Sequence, residues 1–128
     1  MLFDTDVLIC ALRGSANAAK EIDDDENRFI SVVNYMELMQ GAHNKREQNL
    51  IKQFLSKLDF VVLPITEAVS HRATIFIEEY SLKSGMQLAD ALVFATACEN
   101  SLTLCSANQK HFRDIVSLNA KAFEPDNL

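Results

Sequence analysis

Short apolar runs alternating with longer helical stretches predict an α/β domain built on a mostly parallel sheet covered on both faces. Two observations support that class. "FVVLP" and "LTLCS" are continuously apolar, as strands buried on both sides are, rather than alternating. "QLADALVFATACEN" is apolar almost all round, which predicts a central helix.

The elements follow in order. "MLFD" predicts a short strand ending at Asp4, and "VLICAL" and "ANAAKEI" predict two short helices. "RFISVV" starts as a strand and turns near Ser31, and "NYMELMQGA" is helical and stops near Gly41. "EQNLIKQFLSKL" sets Leu50, Ile51, Phe54, Leu55 and Leu58 on one helical face. "FVVLP" is then a buried strand closed by Pro64. Thr66 caps a helix that aligns Val69, Ala73, Phe76 and Tyr80. "LTLCS" is a buried strand after the central helix, and "KAFEP" adds an edge strand.

At 128 residues the chain suits one domain, 1–128, with no internal repeat or linker, and is long enough to bury a core without staples. No apolar stretch is long enough to span a bilayer, and no signal peptide is visible. Cys10, Cys98 and Cys105 are an odd set without CxxC spacing, which reads as three small buried residues in a reduced cytoplasm. The net charge of −6 is a poor surface for gripping nucleic acid non-specifically, yet compatible with a metal-bridged phosphate substrate or a basic protein partner. The acidic run "EIDDDEN" lacks the alternating ligands of a calcium loop and reads as a solvated helix end.

In open parallel sheets, ligands bind at the carboxyl ends of the strands near a topological switch point. Asp4, Glu37 and Asp90 fall where such a crevice forms, and Ser106 and Asn108 approach the same edge. Each acid has a plain structural alternative. Glu37 stands three residues after Asn34, a capping-box spacing, and Asp90 suits a helix N-terminus. Asp6 directly precedes Val7 and is assigned the helix cap, which leaves Asp4 without a local structural role. Three converging carboxylates repel one another, and a divalent cation with oxygen ligands, Mg²⁺ or Mn²⁺, removes that conflict. Such a site suits hydrolysis of phosphodiesters.

"LFDTDVLI", "SVVNYMELMQGA", "LADALVFATA" and "LCSANQKHF" together resemble the four motifs of PIN-domain ribonucleases, above all the VapC toxins of toxin–antitoxin pairs. The resemblance covers nearly the whole chain. It implies a three-layer α/β/α sandwich with a mostly parallel central sheet of four to five strands, Mg²⁺- or Mn²⁺-dependent endoribonuclease activity, a cytoplasmic homodimer and a cognate antitoxin that blocks the site. By position Asp4, Glu37 and Asp90 match the metal-binding acids, and Thr5 matches the small hydroxyl residue that follows the first of them. Asp6 stands where Asn is commoner. The fourth motif departs further, reading Ser106, Asn108, His111 and Phe112: His111 replaces the usual Asp, so a fourth acid is missing. Asn108 is expected to orient a metal-bound water. His111 is read as a solvated turn residue first, and as a phosphate contact or proton carrier second. RNA is expected to meet Arg13, Lys45, Arg46 and Lys110, and the apolar helix faces between residues 33 and 58 to supply an interface.

Two alternatives remain at this level. Asp4-x-Asp6 after an apolar strand also resembles the haloacid dehalogenase-type phosphatases, with Asp4 as nucleophile, although Val7 and Leu8 stand where that motif has Gly and Thr. A catalytically weak PIN-fold binding module is the non-enzymatic reading.

Overall fold

A computed structural model describes residues 1–126. Its elements are β1 (Leu2–Phe3), α1 (Thr5–Leu12), α2 (Ala16–Asp23), β2 (Phe29–Ser31), α3 (Val32–Gly41), α4 (Lys45–Lys57), β3 (Val61–Leu63), α5 (Glu67–Ser84), α6 (Leu88–Glu99), β4 (Leu104–Ser106), α7 (Gln109–Phe112) and β5 (Ala120–Ala122). The five strands form one sheet in the order β3-β2-β1-β4-β5, and every pairing is parallel. Strand side chains alternate between faces. Leu2 and Leu104 therefore join α5 and α6 on one side, while Phe3, Ile30 and Cys105 join α1 and α2 on the other. The result is the α/β/α sandwich expected of the sequence.

The order places β1 at the centre. The chain winds outward from β1 through β2 to β3, then returns across the sheet by α5 and α6 to enter β4 on the other side of β1. The direction of winding reverses between β1 and β4, so their carboxyl ends open the switch-point crevice. Asp4 follows the first of these strands and Ser106 ends the second.

Two packing expectations fail. β3 is an edge strand rather than a buried one, with Val61 49% and Val62 40% exposed. Its apolar run carries no signal for its place in the sheet, because an interior strand has the same composition. On α4, Leu55 is buried but Leu50 is 52% exposed, since the helix lies at the rim of the fold. The α5 face is as expected: Val69, Ala73, Phe76 and Tyr80 are all buried. All three cysteines are free, but only Cys105 is buried, and burial pushes its thiol up to about 12. Among the described residues no helix is long and apolar enough to cross a membrane.

The acidic run after α2 is a helix end, as expected, but it also holds the N-terminus: the Met1 amine bonds to Asp25 and to the Asn27 carbonyl. Arg28 locks the same corner by donating to the carbonyls of Ile22 (2.9 Å), Asp25 (2.9 Å) and Leu58 (3.0 Å). Arg28→Ala should cost about 1.5–3 kcal/mol, the range for hydrogen bonds from a charged donor. Urea denaturation checks this, and a loss under about 0.5 kcal/mol, the scale of an ordinary surface substitution, would contradict it.

Candidate active site

The loop after β1 turns directly into α1, and Asp4 makes that turn. Its backbone is extended (φ −73°, ψ 161°), and its Oδ1 accepts from the Thr5 amide at 2.9 Å. Asp4, not Asp6, is thus the cap of α1, which begins two residues earlier than its apolar pattern suggests. Asp6 instead points toward the end of β4. Its Oδ2 accepts from the Ala107 amide at 3.0 Å, and its Oδ1 is buried with no partner among the described residues. The capping role therefore falls to Asp4 and not to Asp6, the reverse of the expectation, and both face the crevice.

Around Asp4 the neighbouring strands supply donors. The Ser106 hydroxyl, fully buried at the end of β4, donates to Asp4 Oδ2 at 2.8 Å. Asn34, fully buried in the first turn of α3, donates from Nδ2 to Asp4 Oδ1 at 3.1 Å and to Thr5 Oγ1 at 3.0 Å. Its own Oδ1 takes the Ser31 amide at 2.9 Å. Ser31 and Asn34 are therefore the capping pair of α3, and Glu37 is not part of it. Glu37 lies one turn further on, exposed, and accepts the Thr5 hydroxyl at 2.8 Å. The capping explanation for Glu37 thus falls away. Asn34 is the functional side chain the motif reading missed as such. Its signal was its place three residues before Glu37, on the same helical face.

Asp90 occupies the third position of α6. It keeps part of its capping role, taking the Gln87 amide at a long 3.4 Å. Its side chain is only 24% exposed, and its Oδ2 lies 4.0 Å from His111 Nε2. His111 is not solvated, contrary to expectation. Its side chain is 11% exposed, and Nδ1 is buried without a partner among the described residues. The four-residue α7 explains this: Phe112 is anchored in the core and carries the preceding histidine inward. The Asn108 amide donates to Ser106 Oγ at 3.1 Å, while its side chain makes no hydrogen bond among the described residues.

The electrostatics follow from this placement. Burial, with the charges of Asp6 and Asp90 adding to it, pushes the Asp4 carboxyl up to about 6 against the donors Ser106 and Thr5. Burial also raises Asp6. The crevice holds carboxylates in a low dielectric with no cationic side chain among these hydrogen bonds. Among the described residues no three acidic, histidine or cysteine side chains close on one point; Glu37 is held outward on Thr5. The expected three-carboxylate convergence is therefore a looser arrangement, with Asp4, Asp6 and Asp90 inside and Glu37 at the lip. An unpartnered buried oxygen on Asp6 and a disfavoured charge on Asp4 suit a hard divalent cation. Of the basic residues, Arg13 shares an open, mainly apolar groove of about 360 Å³ with Glu37, Ile9, Leu12, Leu38 and Leu50.

A parallel sheet with acids gathered at its switch-point crevice defines a ligand-binding α/β domain. Residues 1–117 match the PIN domain, and the chain belongs to the PIN-domain family. Among curated proteins nothing matches significantly. Among solved structures the chain is similar to one from a toxin–antitoxin complex of Klebsiella pneumoniae, at 29% identity over 91% of this chain and 93% of that one, with a TM-score of 0.76. It is similar to a chain of FitAcB from Neisseria gonorrhoeae at 25% identity over 99% of both chains, with a TM-score of 0.75. It also shares its fold with a chain of VapBC2 from Rickettsia felis bound to a promoter DNA fragment, at 18% identity over 96% and 98% of the two chains, with a TM-score of 0.83.

Proposed function

We propose that this chain, as one domain over 1–128, is a divalent-metal-dependent endoribonuclease and the VapC-type toxin of a toxin–antitoxin pair. One observation carries the activity: a buried Asp4 carboxyl, raised to about 6 by burial and by Asp6 and Asp90, at the switch point of a PIN fold. Helix capping alone calls for one carboxylate here, whereas Asp4, Asp6 and Asp90 each make the charge of the next less favourable.

Asp4 and Asp90 would hold Mg²⁺ or Mn²⁺, with Glu37 binding it through water. A bound cation there supplies charge stabilisation at phosphate and activation of water. The chain's own groups do the rest. Ser106, Thr5 and Asn34 donate to Asp4 and fix which way its oxygens face. Thr5 holds Glu37 at the lip, where an exposed carboxylate can take the proton of an attacking water. That water would add to phosphorus, a P–O bond of the RNA backbone would break, and the leaving oxygen would take a proton from solvent. Asp6, through the Ala107 amide, keeps the end of β4 against α1. Arg13, in the groove beside Glu37, and Asn108, just past β4, would contact the RNA.

The similarity to a chain from a toxin–antitoxin complex supports a cognate antitoxin as partner. The exposed apolar groove beside Glu37 gives such a partner a surface next to the crevice, and the exposed Met36 on α3 supports a homodimer through that helix. The place of action is proposed to be the cytoplasm. The phosphatase reading finds no support, because residues 1–117 match the PIN domain.

The test is a panel of structured RNAs and an aryl phosphate incubated with the purified chain and Mg²⁺, Mn²⁺ or EDTA. RNA cutting with either metal, none with EDTA, and no phosphatase turnover is the expected result. Turnover of the aryl phosphate with a trapped phospho-Asp4, or no cutting of any RNA, would contradict it.

A further inference from the structure

Neither ring nitrogen of His111 has a hydrogen-bond partner among the described residues. Nδ1 is buried and bare, and Nε2 faces Asp90 Oδ2 across 4.0 Å. That gap is too long for a hydrogen bond. It falls between the roughly 3.0 Å and 4.2 Å that separate adjacent and opposite donors lying about 2.1 Å from one octahedral ion, so a small side-chain shift would let both bind it. The histidine is not there by accident of a loose turn. Phe112 and Ile115 root α7 in the core, and the strand that precedes it ends on Ser106, which holds Asp4. One short segment therefore carries both a nitrogen toward Asp90 and a hydroxyl onto Asp4.

Building on the metal-dependent reading above, we propose that His111 Nε2 is a nitrogen donor to the cation held by Asp4 and Asp90, and that it turns the site from Mg²⁺ toward first-row transition ions such as Mn²⁺. Mg²⁺ takes oxygen ligands and keeps its waters, whereas imidazole suits transition ions, with affinity rising along the series from Mn²⁺ to Ni²⁺. A site made only of carboxylates shows the same series more weakly. The informative quantity is thus the change in selectivity when the nitrogen is replaced by oxygen.

Pulsed electron paramagnetic resonance of Mn²⁺ bound to the purified full chain reads the donor directly. Wild-type protein should show a ¹⁴N coupling from directly bound imidazole that disappears when the histidines are ¹⁵N-labelled, and the manganese signal should be lost in Asp4→Asn. His111→Asp should keep Mn²⁺ but lose the nitrogen coupling, and calorimetry should show its Ni²⁺-to-Mg²⁺ affinity ratio fall at least about tenfold. Bound Mn²⁺ without nitrogen coupling, or coupling that survives in His111→Asp, would overturn the assignment of His111 and leave the metal-dependent reading standing. Failure of wild-type protein to bind Mn²⁺ in an Asp4-dependent way would overturn both.

Discussion

Asp4→Asn should abolish metal-dependent RNA cleavage, by at least about a hundredfold, while raising the melting temperature of the protein in EDTA. The two effects share one cause. The folded carboxyl titrates at about 6 against an ordinary 3.8, chiefly through burial and then through Asp6. Between those values the folded state binds more protons than the unfolded state, so stability increases as pH falls through that window. Above it the ionised carboxylate weakens the fold by about 3 kcal/mol. Asn removes the charge and keeps the cap, because its oxygen can still take the Thr5 amide while Ser106 turns to accept. Asp4→Ala is the poorer variant. It relieves the charge but discards the cap of α1, a loss of about 0.5–2 kcal/mol that offsets the gain. Differential scanning fluorimetry at pH 7.5 in EDTA, beside a cleavage assay, checks both halves. A destabilised Asp4→Asn, or one that still cuts RNA, would contradict the account of this residue.

Asn34→Ala should be the most damaging polar substitution near the site. The side chain is fully buried and joins three groups: the Ser31 amide, the Asp4 carboxylate and the Thr5 hydroxyl. Removing it strands an amide and takes a donor from a carboxylate that is already disfavoured. A cost of about 2–4 kcal/mol follows from one or two buried groups left unpaired. With Asn34 gone, Thr5 is no longer fixed, so Glu37 loses its orientation and cleavage should fall with stability. Chemical denaturation gives the first quantity and initial cleavage rates at a temperature where the variant is folded give the second. A loss below about 0.5 kcal/mol, the range of ordinary surface changes, would mean that the Asn34 network does not hold the site together.

The architecture was legible because periodicity reports it. Continuous apolar strands, a helix apolar all round and the Thr66 cap each followed from rules that act within a few residues. The place of β3 at the edge was not legible, because exposure of Val61 and Val62 depends on which strand lies beside them. In the site, the positions of Asp4 and Asp90 followed from strand ends and helix starts. The division of labour between Asp4 and Asp6 did not. Both are adjacent to a helix start, and only the third dimension shows that Ala107 claims Asp6. Glu37 was credited with a cap that Ser31 and Asn34 form between themselves. His111 looked like a solvated turn residue because the core anchor that draws it inward, Phe112, lies one position beyond it.

Asp4, just past β1, and Asp90, in the first turn of α6, are assigned to one divalent-cation centre. Anomalous scattering from crystals grown with Mn²⁺ tests it most directly. The account predicts an anomalous peak between the Asp4 and Asp90 carboxylates that is absent from Asp90→Asn crystals. A peak elsewhere, such as on the acidic helix end at Asp23–Asp25, with none in the crevice would contradict it.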